Sequence, residues 1–100
     1  MTSEIPNQMT GKTAIVTGGG SGIGRAGAME FARLGANVVV SDIDIESAKA
    51  TALAIEAAGA RTGARAVSIR TDVSVDAEVA AMVDFAVASF GGLDFAFNNA

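Results

Sequence analysis

Five of the eight residues in the stretch TGGGSGIG (Thr17–Gly24) are glycine, and the stretch lies between two regular segments. It follows a short β-branched run and precedes a segment with helical periodicity. A helix N-terminus presents unpaired N–H groups and the positive end of the helix dipole, which attract phosphate. Glycine lets the backbone approach a pyrophosphate that a side chain would keep away. This context predicts a dinucleotide phosphate site rather than an empty turn.

Three glycine registers compete within this stretch. The pattern Thr-Gly-x3-Gly-x-Gly begins at the end of the strand and selects Thr17, Gly18, Gly22 and Gly24. The common pattern Gly-x-Gly-x-x-Gly would end on Gly27 and begins well past the strand. A P-loop reading fails because the GKT triplet precedes the strand. We adopt the first register and expect Gly27 to be an incidental helix glycine that tolerates alanine.

An acidic residue at the end of the second predicted strand gives the turn a partner. Asp42 lies 18 residues after Gly24, near the spacing of about 20 at which dinucleotide-binding units place an acid on the adenosine ribose. A carboxylate there also repels a 2′-phosphate. The following residue is Ile43, and Ser21 lies in the glycine turn, so neither position supplies a positive charge for a 2′-phosphate. These residues favour NAD over NADP, and the alternative is that Asp42 merely caps the next helix.

A second acid, Asp72, ends the third predicted strand and is followed by Val73. The carboxyl ends of parallel strands share one edge, so these residues should converge with the glycine turn, Asp42 and Asn98–Asn99. Asp72 would accept a hydrogen bond from an adenine amino group while Val73 packs against the ring. The alternative is helix capping. Asp76 and Glu78, further on, are interpreted as ordinary first-turn acids.

The elements that must position these residues alternate between strand and helix. Hydrophobic periodicity and glycine or proline punctuation predict strands at 12–17, 36–42, 65–72 and 93–99, and helices at 22–35, 45–59 and 75–92, the last with Ser74 as N-cap. The order β-α-β-α-β-α-β predicts an α/β fold with a parallel sheet and right-handed crossovers. Residues 1–11 form a polar arm, and 59–66 a lengthened surface loop.

Composition excludes several classes of function. The 100 residues carry a net charge of −4, which argues against nucleic-acid or anionic-membrane partners. Cysteine and histidine are both absent, which removes disulfides and the usual zinc ligands, and we assign no metal site. The sequence has no apolar run of membrane-spanning length and no signal-peptide pattern. We expect a cytoplasmic protein.

With these residues in place, the chain resembles the short-chain dehydrogenase/reductase family over residues 12–100. The pieces that carry the resemblance are TGGGSGIG, VVVSD, TDVS and the terminal NNA, in order and in register. The resemblance implies an incomplete Rossmann fold with strand order 3-2-1-4 and a nicotinamide cofactor. The cofactor-binding residues it implies are Thr17, Gly18, Ser21, Gly22, Ile23, Gly24, Asp42, Ile43, Asp72, Val73, Asn98, Asn99 and Ala100.

The resemblance also implies hydride transfer between nicotinamide and a small-molecule alcohol or carbonyl substrate, in a parent protein that forms homo-oligomers. The family's catalytic serine and Tyr-x3-Lys pair lie further along the chain, and this sequence has no tyrosine. No residue here is assigned as catalytic, and we expect residues 1–100 to be the N-terminal, cofactor-binding part, marginally stable alone. Two alternatives remain: a catalytically silent nucleotide-binding module and an adenosylmethionine-dependent methyltransferase.

Overall fold

A computed structural model describes residues 8–59 and 62–99 of the chain. Strands and helices alternate as predicted from the sequence. The elements are β1 (Thr13–Thr17), α1 (Gly22–Arg33), β2 (Asn37–Asp42), α2 (Ile45–Ala58), β3 (Ala66–Arg70), α3 (Asp76–Phe90) and β4 (Phe95–Asn98). Each predicted element is present, and its boundaries lie at most two residues inside the predicted ones.

The four strands form one parallel sheet in the order β3-β2-β1-β4. β1 pairs with both β2 and β4, so that Thr17 lies opposite Ser41 on one side and Asn98 on the other. β3 joins the outer side of β2, with Asp42 opposite Arg70. The predicted α/β class and strand order 3-2-1-4 are therefore confirmed, and the carboxyl ends of all four strands meet at one edge of the sheet.

Helices cover both faces of this sheet. Val16, Val38 and Val40 pack against α1 and α2 on one face, whereas Ile15 and Val39 pack against α3 on the other. All five residues of β1 are buried, as expected for a central strand that is covered on both sides. The outer strand β4 is mostly exposed. Among the described residues, none of the helices is long and apolar enough to cross a membrane.

Two predicted helix ends differ in their outcome. Gly91 adopts a left-handed conformation (φ 87°) at the C-cap of α3, which is the conformation that favours glycine there. Ser74 was predicted as the N-cap of α3, and this is wrong: Val75 holds that position without a side-chain cap. The Ser74 hydroxyl instead donates a hydrogen bond to Asp72, 2.6 Å away. The Ser74 side chain therefore serves the turn as a donor and, among the described residues, accepts no bond from the N–H groups of the helix.

Residues 8–11 pack against the end of α1. The backbone N–H of Met9 donates to the carbonyl of Leu34 over 2.8 Å. A Cβ at Gly35 would lie 2.7 Å from the Thr10 hydroxyl oxygen, and Gly35 has φ 98°. The described part of the predicted N-terminal arm, residues 8–11, is therefore a turn closed onto the fold.

The start of β3 is held by a carboxylate from α2. Oε2 of Glu56 accepts a hydrogen bond from the Ala66 N–H over 2.6 Å and lies 3.0 Å from the Arg65 side chain. The Ala66 N–H, followed by the Arg65 guanidinium, holds the pKa of Glu56 below its ordinary value of 4.5. This bond anchors the first residue of β3 to α2.

The Glu56 bond predicts an acid-dependent loss of stability. Because the folded-state pKa is lowered, the contribution is fully present above the unfolded-state pKa and is lost as pH falls through the folded value. We expect the difference in free energy of unfolding between wild type and Glu56→Gln to shrink as pH falls from about 6 to about 3. Urea unfolding at several pH values measures it. Glu46→Gln, at an exposed ion pair of 3.9 Å, is the control and should show little such trend.

Gly27 has a packing role, although the sequence predicted that alanine would be tolerated there. A Cβ there would lie 2.5 Å from Cε2 and 2.7 Å from Cδ2 of Phe97. Real Cβ atoms do not approach this closely, so the helix or the ring must move. Gly27 therefore leaves room for the Phe97 ring of β4 against α1, and the expectation of an incidental glycine is wrong.

We accordingly expect Gly27→Ala to lower the free energy of unfolding by about 1 kcal/mol, because overpacking costs more than the gain in helix propensity. The same substitution in a Phe97→Leu background should cost less or become stabilising, since the smaller side chain leaves room. Chemical denaturation of the four proteins in this cycle measures the coupling. Equal effects in both backgrounds would contradict the assigned contact.

Candidate functional site

The edge formed by the strand carboxyl ends contains a cavity of about 270 Å³. It lies where the first three strands end, between the glycine turn and the segments that follow β2 and β3. Its lining residues are Gly18, Asp42, Ile43, Thr71, Asp72 and Val73. Five of these six belong to the set predicted from the sequence, and Thr71 is the addition. Strand alignment has brought together residues that are far apart along the chain.

Each glycine of the adopted register has a physical reason in the structure. Gly18 and Gly22 both have left-handed backbone conformations, with φ of 63° and 57°, which L side chains rarely adopt. No atom lies within 4 Å of the place where a Gly22 Cβ would stand. A Cβ at Gly24 would collide with the carbonyl oxygen of Gly18. The turn is thus tightly folded at its start and open at the helix N-terminus.

Two further glycines in the turn were not singled out from the sequence. A Cβ at Gly19 would lie 2.8 Å from Cγ1 of Val40, and one at Gly20 would collide with Cβ of Ser47. The turn therefore packs directly onto β2 and α2. The sequence did contain a signal for these two positions, the run of three successive glycines. The spacing pattern leaves both positions unspecified and therefore did not select them.

Asp42 ties the glycine turn to the end of β2. Its Oδ2 accepts a hydrogen bond from the Gly20 N–H over 2.9 Å, and its Oδ1 accepts one from the Asp44 N–H over 3.0 Å. The N-cap of α2 is Asp44, which accepts from the N–H groups of Glu46 and Ser47. Asp42 is therefore not the cap of the next helix, and its carboxylate supports the turn from the rim of the cavity.

The N-terminus of α1 lies at the open side of the turn. Ser21 is the N-cap residue and makes no side-chain capping bond, and the first turn contains no acidic residue. Ile23, in that turn, is 72% exposed. An uncapped and uncharged first turn leaves the positive end of the helix dipole available to an anion.

Asp72 shapes the segment after β3 with its own side chain. Its Oδ1 accepts from the backbone N–H of Ser74 over 3.0 Å and from the Ser74 hydroxyl over 2.6 Å. The hydroxyl bond, followed by the backbone bond, holds the pKa of Asp72 below its ordinary value of 3.8. Val73, the next residue, is 38% exposed and lines the cavity. The result is a charged acceptor beside an accessible apolar side chain.

Asn98 and Asn99 are joined to the end of β1 by Thr17. The Thr17 hydroxyl accepts from the Asn99 backbone N–H over 2.9 Å and lies 3.1 Å from Oδ1 of Asn98. The Asn99 side-chain amide reaches the Gly18 carbonyl at 3.5 Å. Both asparagines therefore adjoin the glycine turn on the side opposite Asp42. Ala100, also predicted for this site, lies outside the described residues.

The chain is similar in sequence to several known dehydrogenases. The sequence profile described as short chain dehydrogenase matches residues 12–100. The 2,5-dichloro-2,5-cyclohexadiene-1,4-diol dehydrogenase of Sphingobium indicum is 47% identical over 94% of this chain and 35% of its own length. The 7alpha-hydroxysteroid dehydrogenase of Escherichia coli K12 is 40% identical over 93% of this chain and 35% of its own. The chain thus spans about a third of the length of these relatives.

A solved structure extends the likeness to three dimensions. The crystal structure of a short chain dehydrogenase/reductase from Burkholderia phymatum in complex with NAD is 42% identical, with a TM-score of 0.85. The match covers 93% of this chain and 32% of the other. The fold described above therefore matches a part of a relative that was solved with NAD bound.

The hydrogen bonds of Thr17 predict a measurable role in closing this edge. We expect Thr17→Val, which keeps the shape and removes the hydroxyl, to lower the free energy of unfolding by about 2 kcal/mol, since each bond contributes about 1. Thr17→Ser retains the hydroxyl and should cost less. Urea unfolding with amide hydrogen exchange at Asn99 measures both effects. Equal stability of the valine and serine variants would show that the hydroxyl does not tie β1 to β4.

Proposed function

The chain belongs to the short-chain dehydrogenase family, and from that premise we propose that residues 12–100 form the cofactor-binding half of an NAD-dependent oxidoreductase, preceded by an arm at 1–11. The observation that carries the proposal is the position of Asp42. Its carboxylate lies on the rim of the cavity and accepts the Gly20 N–H of the glycine turn. One acidic group therefore joins the two places where the ribose and the pyrophosphate of a dinucleotide would lie.

The residues present fit a dinucleotide. Space at Gly22 leaves the backbone of the turn accessible, and the first turn of α1 has neither an acidic residue nor a side-chain cap. Together these features suit a pyrophosphate, held by Gly18, Ser21, Ile23 and Gly24 as well as Gly22. Bound nicotinamide would supply the hydride acceptor or donor of the reaction. The protein's part, on this proposal, is to bind and orient it.

The remaining site residues divide between the two ends of the cofactor. At one end Asp42 would accept from the ribose hydroxyls, with Ile43 beside it, while Asp72 and Val73 would hold the adenine. At the other end, Asn98 and Asn99 would lie towards the nicotinamide, because they stand at the end of β4, on the opposite side of β1 from β2. The family resemblance assigns Ala100 to the same end. The dinucleotide would thus cross the carboxyl edge of the sheet above β1.

Preference for NAD over NADP follows from charge at the ribose. Asp42 is the acid at the end of β2, and Ile43 and Ser21 provide no positive charge. A 2′-phosphate placed near this carboxylate would meet repulsion and lose the hydrogen bonds that ribose hydroxyls make with it. We propose NAD as the preferred cofactor of the whole protein.

The substrate class comes from the relatives. Both dehydrogenases are named for alcohols on carbon rings, so we propose oxidation of a small-molecule alcohol or reduction of the corresponding carbonyl. Proton transfer at that oxygen needs a general acid or base. The sequence contains no tyrosine, and we assign the family's phenol to a part of the protein other than residues 1–100. A nucleotide-binding module without turnover would bind the cofactor but show no such oxidation.

The cofactor preference can be tested at Asp42 in the natural-length protein. We expect Asp42→Ala to weaken NAD binding about 10- to 100-fold, because hydrogen bonds to a charged group are lost. The ratio of NADP to NAD affinity should rise, since repulsion of the 2′-phosphate is relieved. Isothermal titration with each cofactor measures both. Unchanged affinity for the two would remove the ribose assignment.

A control separates local contact from a general change of charge. Asp44→Ser removes a negative charge two residues away and keeps a hydroxyl that can cap α2. We expect this variant to retain the wild-type preference for NAD. If it shifts the preference as far as Asp42→Ala does, the discrimination arises from overall charge at this edge and not from contact with the ribose.

A further inference from the structure

The turn between β3 and α3 is held from outside by a residue of the helix. Oε1 of Glu78 accepts a hydrogen bond from the Asp72 backbone N–H over 2.8 Å and lies 3.4 Å from Nη1 of Arg70. The carboxylate therefore reaches back from the first turn of α3 to the end of the strand. The interpretation of Glu78 as an ordinary first-turn acid is incomplete, because its side chain fixes the backbone of a cavity-lining residue.

The backbone N–H groups of this turn are nearly all occupied. The Asp72 N–H donates to Glu78, the Ser74 N–H to the Asp72 carboxylate, and the Val75 N–H to the Asp72 carbonyl over 3.0 Å. Within residues 8–59 and 62–99, only the Val73 N–H of these four lacks an acceptor. Val73 also lines the cavity. The turn thus offers one backbone donor next to one carboxylate acceptor.

This pair of groups matches one kind of purine edge. Adenine presents an amino donor at C6 and a ring-nitrogen acceptor at N1, which complement a carboxylate and an N–H. Hypoxanthine presents the reverse, an oxygen acceptor at C6 and an N–H donor at N1. The Ser74 bonds favour the charged form of Asp72, which accepts hydrogen bonds and cannot donate one. A fixed turn would therefore prefer adenine, whereas a loose turn could rearrange to suit either base.

We infer that Glu78 is a positioning residue for cofactor recognition: by binding the Asp72 N–H, it fixes the carboxylate of Asp72 and the free N–H of Val73 as an adenine-reading pair. The inference rests on the proposed function, since it requires a dinucleotide at this edge. Beyond that function, the selectivity for the base depends on Glu78, a side chain that does not touch the base. Arg70, paired with the same carboxylate, limits the directions in which Glu78 can turn.

The experiment compares two cofactors that differ only at C6 of the purine. Binding of NADH and of reduced nicotinamide hypoxanthine dinucleotide to the natural-length protein is measured by calorimetric titration. We expect wild type to favour NADH about tenfold or more, because the mismatched base leaves polar groups unpaired. Glu78→Ala should bring the ratio of the two affinities to within about twofold of one, mainly by weakening NADH.

Two variants separate positioning from general stability. Glu78→Gln keeps an oxygen acceptor for the Asp72 N–H and should retain most of the wild-type ratio. Asp76→Ala removes another acid from the same first turn, one whose side chain has no hydrogen-bond or ion-pair partner among the described residues. It should leave the ratio unchanged. A merely destabilised protein would lose affinity for both cofactors in parallel. Thermal unfolding of each variant measures any loss of stability.

The outcomes are distinguishable. If wild type binds neither cofactor, the proposed function fails and the inference fails with it. If wild type binds both equally, Asp72 and Val73 do not read the base, and the inference is overturned while the oxidoreductase proposal stands. If wild type discriminates and Glu78→Ala keeps the full ratio, Glu78 has no positioning role. Loss of the ratio in the alanine variant, with its retention in the glutamine variant, supports the inference.

Discussion

Everything at the candidate site depends on the parallel pairing of β1 with two neighbours at once. β1 lies between β2 and β4, and all five of its residues are buried. Parallel pairing requires each strand to end on the same side, so that loops from four distant parts of the sequence share one edge. A reversed or shifted strand would carry its terminal residue away from the others. The glycine turn, the two aspartates and the asparagines could not then meet.

Side chains that bind backbone groups set the loops at this edge. Asp42 holds Gly20, Thr17 holds Asn99, and Asp72 folds its own turn through Ser74. At the opposite edge, the Asp94 carboxylate accepts the Thr13 N–H over 2.9 Å. Each such bond involves a backbone or hydroxyl group that the hydrogen bonds between strands do not use. The polar residues therefore serve the shape of the loops as well as any ligand, and one substitution can affect both.

The architecture was readable from the sequence because its signals are local and mutually consistent. Short β-branched strands, alanine-rich helices and glycine stops each predict one element, and their alternation leaves few topologies. The glycine register was also readable, since a tight turn restricts which positions can carry a side chain. Family resemblance supplied the roles of the aspartates and asparagines, which spacing alone left open.

Contacts between distant residues were not readable in the same way. The approach of Gly27 to Phe97 joins positions far apart in the chain, and no periodicity marks it. Ser74 had the right type and place for a helix cap, but its backbone N–H and its hydroxyl both donate to the Asp72 carboxylate, and the helix begins one residue later, after Val75. From the sequence alone, Glu78 is only an acidic residue in the first turn of a helix. Only the folded path of the turn shows that its carboxylate meets the Asp72 N–H.

The carboxylates at the two ends of β3 have a consequence for assembly. β3 is an outer strand, and because the Thr71 N–H donates to the Asp42 carbonyl, the alternate N–H groups of Ala66 and Asp72 face away from β2. Glu56 and Glu78 occupy these two donors. An extended peptide from another molecule would have to displace both charged groups to pair along the whole strand. The same bonds that shape the chain thus make this border of the sheet a poor template for adding a strand.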